Sequence, residues 1–538
     1  YNQIIKYERE ALCVNNIAEN IYKLRTYYKL TQEQFAEFLN VSRQAVQKWE
    51  NGQSVPDLEK LIKISARFGV SLDTIILNTG KRLAKERTEV KQLAVAYENQ
   101  HHWESYPGQL LTEYRQSIEE GKDIKQYKGL FNEVMQMPSG KYREDMADIL
   151  FNIVCSADTV DGYKYIEPSE IESIKRLRDN EEFAAAGIPN NYREKLYGAW
   201  MGRICGCLLG KPIEGRRTYE FIPLLKESNN YPMHRYIVSD DITEEMEKKF
   251  NYSKNLCWAD RISCAPVDDD TNYTVLANVL IEKCTRDFTP KDVADLWQEF
   301  QGKNAYCTAE RIAFKNFVAG YEPPVSAVYK NPFREWIGAQ IRGDYFGYIN
   351  PGNPEAAAEM AWRDASISHV KNGIYGEMFA AAMISYAAVC SDIKQIIAAG
   401  LSQIPNTSRL YEAVKEVIDD YENGISYEDW TEKIYQRFDE CTEYDWCHTI
   451  SNAMIVTAAL LYGNKDFGKS ICIAVQTGFD TDCNGATVGS VVGMINGISK
   501  IGKKWTEPVG GVLDTSIFGV GKVNIEEMVD KTLKHLVK

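Results

Sequence analysis

Residues 478–493 read GFDTDCNGATVGSVVG, and Gly485, Gly489 and Gly493 recur every four residues. Ala486 adds another small side chain to the same helix. Spacing of this kind reduces one helix face to bare backbone, so a second backbone can approach closely; in membranes it marks dimer faces. Here Asp480 and Asp482 stand just before the run, so the stretch reads as a buried core helix with two carboxylates at its mouth. Like charges that close are costly to bury. A cation, or a reaction that uses both groups, has to offset the cost.

A second acidic helix entry lies far upstream. PVDDDTNYTVLANVLIEK (266–283) puts Asp268, Asp269 and Asp270 before a helix whose Val275, Leu276, Val279 and Leu280 form one stripe. A single N-cap Asp would satisfy the helix dipole, and three exceed that need. KLYGAWMGRICGCLLGKPIEG (195–215) is a glycine-dotted apolar helix that stops at Gly210-Lys211-Pro212 and leaves Glu214 just beyond. The two acidic entries could converge on divalent cations. Four or more oxygen ligands without His or Cys clusters suit Mg²⁺ or Mn²⁺ rather than zinc. The plainer alternative is two unrelated N-caps.

At 538 residues the chain exceeds the ~250–300 at which single cores stop growing, so at least two domains are expected. Its 44% apolar and 26% charged residues are ordinary for a folded protein. A net charge of −14 disfavours a chain that coats nucleic acid along its length, but it leaves room for one local DNA-binding module. The longest apolar stretches, such as MFAAAMISYAAVC (378–390), fall short of the ~20 residues needed to span a bilayer, so no membrane partner is expected. No charged n-region followed by an apolar run opens the sequence, so no secretory signal is expected. Thirteen cysteines without CxxC pairs suggest reduced thiols and a cytoplasmic location rather than a disulfide framework.

The front of the chain reads as five short helices over residues 16–77. Thr31 caps TQEQFAEFL with Gln34 three residues on, a capping-box pattern. Leu39, Asn40 and Val41 form a tight turn, Ser42 caps SRQAVQKWENG, and Gly52 ends that helix. Pro56 then sits near the start of DLEKLIKISARF. The second helix of the central pair presents Arg43, Gln44, Gln47 and Lys48, with Ala45, Val46 and Trp49 as its packing face. Gln and Arg can read base edges, and Lys favours phosphate. TQEQFAEFLNVSRQAVQKWENGQSVPDLEKLIKISARFGVSLDTII resembles the phage-repressor-like helix-turn-helix family over its full length, which implies binding to double-stranded DNA. A five-helix protein-interaction bundle is the alternative. Ten basic against nine acidic residues leave 1–80 at +1, a weak electrostatic anchor, so a homodimer on a palindrome is expected.

Between the two regions, LAKERTEVKQLAVAYENQ and LLTEYRQSIEEGKDIKQY look helical and strongly charged, as helices that bridge domains or pair with a partner do. His101 and His102 read as surface residues. The expected organisation is all-α: a helix-turn-helix domain (1–80), a helical connector (81–164) and a large orthogonal helical domain (165–538).

GCLLGKPIEG, VDDDTNYT and GFDTDCNGATVGS together resemble the ADP-ribosylglycohydrolase family, and the stretch from NAYCTAERIAFK to NGIYGEMFAAAM resembles its bacterial branch. The resemblance implies an all-helical fold around a two-metal centre. It carries the family's Thr/Ser-Asp-Asp motif onto Asp268, Asp269 and Asp270, with Asp268 in place of the hydroxyl ligand. The Asp-x-Asp-Thr motif falls on Asp480, Asp482 and Cys483, and Cys483 replaces a metal-binding Thr. A thiol is a poor Mg²⁺ ligand. Glu214 matches a Glu that assists the reaction in some members, so Glu214, Asp269 and Asp270 are the catalytic candidates. Tyr306, Thr308 and Arg311 fall in a segment like the loop near the substrate's phosphates, and His369 and Tyr375 in one that helps form the ligand pocket. The implied activity is metal-dependent hydrolysis of an ADP-ribosyl or related N-ribosyl linkage. Two alternatives stay open: a non-catalytic sensor of ADP-ribose or a nucleoside, and a nucleoside-type N-glycosidase.

Overall fold

A computed structural model describes residues 16–70, 72–77, 100–179, 183, 186–253 and 257–536. The chain divides into two compact units, Tyr1–Asn99 and Gln100–Lys538. The fold is all-α: among the described residues the strands are confined to a two-residue ribbon, Val512–Leu513 against Val523–Asn524. No helix among them is long and apolar enough to cross a membrane.

In the first unit, helices cover 16–27, Gln32–Leu39, Arg43–Glu50, Leu58–Phe68 and Leu72–Leu77. Thr31 and Gln34 form the reciprocal capping box. Asn40 ends its helix in the left-handed conformation, which an Asn tolerates, and the Ser42 side chain accepts from the Ala45 N–H. Pro56 lies just before the next helix rather than in its first turn, because Asp57 is the N-cap and Leu58 the first helical residue. Phe35, Leu39, Val46, Trp49, Leu61 and Ile64 fill the core. Arg25 Nε, 2.6 Å from Glu50 Oε1, ties the first helix to the end of the third.

The second unit is organised by two antiparallel helices, Tyr192–Gly210 and Thr481–Asn496. Gly198 faces Gly493, Gly202 faces Gly489, Gly206 faces Gly485, and Gly210 meets Thr481 and Asp482. A Cβ built on any of these four upstream glycines would lie 1.9–2.3 Å from the opposite backbone. Only glycine permits that approach. The sequence reading of a buried small-residue helix is thus realised as a reciprocal zipper, closed by the Thr481 hydroxyl donating to the Gly210 carbonyl (3.0 Å). Helices Lys371–Ala387, Thr449–Gly463 and Phe467–Gln476 surround the pair.

The span expected to form a connector, 81–164, is described only in part. Residues 81–99 lie outside the described residues, whereas 100–164 belong to the second unit. Helix Leu110–Glu119 turns a charged face inward. Arg334 Nη1 lies 2.8 Å from Glu113, and its Nε donates to Glu120 at 2.7 Å. Lys371 reaches the other Glu120 oxygen at 2.8 Å. Gln116 donates to Glu335, which Arg409 also engages at 2.8 Å, and Arg409 pairs with Glu167. The charge of this stretch is therefore paired within the second unit. His101 and His102 are exposed, as expected.

Candidate metal centre

The glycine zipper sets the register of the acidic residues. Asp480 and Asp482 open the helix that packs on Gly210, and Cys207 lies one residue beyond Gly206 on the opposing helix. Asp268 caps the Asp269–Cys284 helix: its Oδ1 accepts from the Asp270 N–H at 2.9 Å, and its Oδ2 lies 2.5 Å from Lys211 Nζ. Arg203 Nη2 lies 3.0 Å from Asp270 Oδ1, and Nη1 lies 3.0 Å from Asp344. Acidic residues more than 200 positions apart in sequence thus meet in space.

Two sets of donors result. Cys207, Asp268, Asp270 and Asp482 each offer an atom within 4.8 Å of the others, and so do Asp480, Asp482 and Cys483. Asp482 belongs to both. Asp270 Oδ2 and Asp482 Oδ1 are buried and have no hydrogen-bond partner. Buried carboxylate oxygens normally have one, so these two mark where a cation fits. Asp269 is half-buried and outside both sets.

Without a cation the carboxyls are forced toward protonation. Burial, then Asp268 and Asp482, push Asp269 up to about 8. Burial and Asp268 push Asp482 up to about 6. Asp270 and Asp480 are raised well above the carboxylate range by burial first, against the pull of Arg203 on Asp270. Glu214 follows the short Lys211–Ile213 turn at the solvent-exposed edge of the site. The Asp482 carboxylate is the main cause of its raised proton affinity, and Asp268 and Asp480 add to it.

The residues expected to touch substrate divide differently. Tyr306 is buried, stacked on Trp297 at 4.5 Å, and its hydroxyl donates to the Trp297 carbonyl. Arg311 donates to the Tyr306 carbonyl at 2.6 Å and lies over the Trp103 ring. The Tyr375 hydroxyl donates to the Pro168 carbonyl. Each of these three thus has a polar atom held by an internal backbone carbonyl. Thr308 is buried at the start of its helix, in a left-handed conformation (φ 32°). His369 is the exception. Its Nδ1 meets Ser368 Oγ at 2.8 Å, its buried Nε2 has no hydrogen-bond partner, and Glu310 lies 3.9 Å away. Burial and Arg342 hold it well below the usual histidine range, hence neutral.

Sequence reasoning missed Cys207, Lys211, Arg203 and Glu310. The signal for the first was present: Cys207 follows a zipper glycine in a helix that is buried without interruption from Gly198 to Gly210. On the first unit, Arg43, Gln44, Gln47 and Lys48 are all exposed, with Val46 and Trp49 buried behind them. Arg43 Nε also pairs with Glu33 at 2.8 Å.

Comparison with known proteins bears on both units. A helix-turn-helix family profile matches residues 21–75. Over 58 residues the chain is 48% identical to an HTH-type transcriptional activator, BcrR, of Enterococcus faecalis, covering 11% of this chain and 28% of that protein. Over 61 residues it is 39% identical to an SPbeta prophage-derived uncharacterized HTH-type transcriptional regulator, YonR, of Bacillus subtilis, covering 11% of this chain and 56% of that one. The chain therefore spans between about a quarter and just over half of these relatives' lengths. A solved structure titled "ADP-ribosylglycohydrolase-related protein complex" is similar at a TM-score of 0.42 and 17% identity, covering 64% of this chain and 98% of that one. The ADP-ribosylglycohydrolase family profile matches residues 188–537, well over half of the sequence, and the chain belongs to the ADP-ribosylglycohydrolase family.

Proposed function

We propose that the second unit is a metal-dependent hydrolase of an ADP-ribosyl or related N-ribosyl linkage, joined to a sequence-specific DNA-binding module. One observation carries the reading: two acidic helix entries converge so that Asp482 is common to both donor sets, while buried oxygens of Asp270 and Asp482 lack partners.

Asp268, Asp270, Asp480 and Asp482 would hold the cations. When bound, two divalent ions a few ångströms apart supply charge that can hold a ribose diol and acidify a water. The protein's own groups do the remainder. Lys211 and the Asp270 N–H fix Asp268, and Arg203 fixes Asp270. Glu214, at the exposed edge with raised proton affinity, takes the proton of the attacking water at its carboxylate. Cleavage at the anomeric carbon passes through an oxocarbenium-like state, and Asp269 stabilises the positive charge that develops on the sugar. Neutral His369 offers Nε2 toward the ligand pocket.

The first unit would lay its Arg43–Glu50 helix in the major groove, with Gln44 and Gln47 reading bases and Arg43 and Lys48 at bases or phosphates. A homodimer on a palindrome would compensate for its near-neutral charge.

The test is release of a ribosyl product by the purified full chain from a panel of ADP-ribosylated arginine, serine and DNA base, and from nucleosides, with divalent metal and with chelator. Metal-dependent turnover of any member supports the reading; none across the panel overturns it. A second reading, a ligand sensor without turnover, is favoured by Lys211, which already places a cation on Asp268. Operator affinity that shifts with ADP-ribose while the ligand stays intact selects it.

A further inference from the structure

The donor sets disagree with the metal that the carboxylates suggest. Each contains one sulfur: Cys207 in the set with Asp268, Asp270 and Asp482, and Cys483 in the set with Asp480 and Asp482. Mg²⁺ demands an octahedron of oxygens and dehydrates reluctantly, so a thiol pressed among its ligands is a poor fit. Thiolate sulfur selects softer ions, and zinc takes both sulfur and carboxylate oxygen as ligands and commonly four of them, the number of donors in the first set.

Cys207 is not an ordinary core cysteine. Cys205, two residues earlier and so on the far side of the helix, is equally buried, and its thiol donates to the Trp505 carbonyl at 3.2 Å. Cys207 instead faces the carboxylates. The close Gly206–Gly485 approach brings it there, because any larger residue at either position would hold the helices apart. Asp270 and Asp482, both almost wholly buried and each with an unpartnered carboxylate oxygen, belong to the same donor set.

We propose that the centre is a mixed thiolate–carboxylate site for a thiophilic divalent ion of the zinc type, with Cys207 as a protein ligand contributed by the glycine zipper and Cys483 as its counterpart in the second set. The inference rests on the reading of the acidic cluster as a metal site, and it is independent of which linkage, if any, is cleaved. As each metal–sulfur bond forms, the thiol proton leaves to solvent and the sulfur lone pair becomes the ligand; no oxidation is involved.

The experiment uses the full chain, stripped with chelator and titrated with Co²⁺ as an optical substitute for zinc. The expected result is an intense near-ultraviolet sulfur-to-cobalt charge-transfer band, bleached by Zn²⁺ and unaffected by a large excess of Mg²⁺. Cys207→Ser should lose about half of that band and bind Zn²⁺ at least tenfold more weakly, a loss of order one good ligand, while Cys205→Ser keeps the band. Should Cys207→Ser fail to fold, X-ray absorption of the zinc-loaded natural chain decides, since a sulfur shell at about 2.3 Å is expected. Cobalt bound with oxygen neighbours only, or Mg²⁺ competing on equal terms, overturns the thiolate site while leaving metal binding intact. Failure of Co²⁺, Zn²⁺, Mn²⁺ and Mg²⁺ all to bind overturns both this inference and the metal reading beneath it.

Discussion

Replacing Gly206 by alanine tests the feature that assembles the centre. The new Cβ would sit 1.9 Å from the Gly485 carbonyl oxygen and 2.4 Å from its carbon, against the 3.0 Å below which real Cβ atoms are essentially never found. The two helices must part by roughly 1 Å, and the obstacle is backbone, which cannot swing aside as a side-chain tip can. Overpacking of this kind costs about 1–3 kcal/mol, and the rigidity of both partners places Gly206→Ala at the upper end, about 3 kcal/mol. The displacement also widens the Cys207–Asp482 set, whose donors now lie within 4.8 Å of one another. Urea midpoints give the stability term, and retention of cobalt against a competing chelator gives the site term. Gly129→Ala is the control: it lies in helix Lys128–Gln136, meets nothing within 4 Å, and should be neutral or stabilising by about 0.5–1 kcal/mol. A Gly206→Ala protein within about 1 kcal/mol of the parent, holding metal as tightly, would refute the reasoning from close approach.

A chain beginning at residue 165 should not fold to the native state, because Arg334, buried in the second unit, loses its partners Glu113 and Glu120, and breaking a buried pair costs about 3–5 kcal/mol; a cooperative thermal transition in that fragment would contradict it. Burial pushes the Glu310 carboxyl up to about 7 against the pull of Arg342, whereas in the unfolded chain it titrates as an ordinary glutamate. The folded state therefore holds a proton that the unfolded state has released. The Glu310 contribution is complete below the unfolded value and is lost as pH rises toward 7, on the order of 3 kcal/mol. Glu310→Gln should flatten that part of the stability–pH profile measured by urea midpoints, and an unchanged slope counts against it. Gln44→Ala and Gln47→Ala should weaken operator binding by about 1–3 kcal/mol and relax base preference, with unfolding midpoints unchanged because both side chains are exposed; binding-site selection on randomised duplexes measures this, and unaltered preference argues against that docking.

Local rules made the first unit legible. The Thr31–Gln34 box and the Ser42 cap involve residues at most three apart, so their partners are visible in the string itself. The acidic helix entries were legible as an excess of charge over what capping needs. That the entries share Asp482 depends on antiparallel register between helices 270 residues apart, which no local pattern encodes. Cys207 was hidden by the same distance from Asp482, and Lys211 by the 57 residues that separate it from Asp268. The charged stretch 110–120 misleads for a related reason: Arg334 and Arg409, which pair with it and its neighbour Glu335, lie more than 200 positions downstream. Tyr306, Arg311 and Tyr375 were chosen by family position, and position alone does not say which carbonyl a hydroxyl or guanidinium will take.

The zipper has a consequence in time as well as in space. Helix Tyr192–Gly210 leaves the ribosome with its glycine groove bare, and its counterpart is not translated until Thr481 and beyond. At about 5–20 residues per second that interval lasts roughly 15–55 seconds. The helices of the front unit, complete by Leu77, have everything they need long before. Each newly made molecule thus passes through a stage in which the helix-turn-helix can be whole while the acidic centre does not yet exist, and any premature stop before residue 480 fixes the protein at that stage.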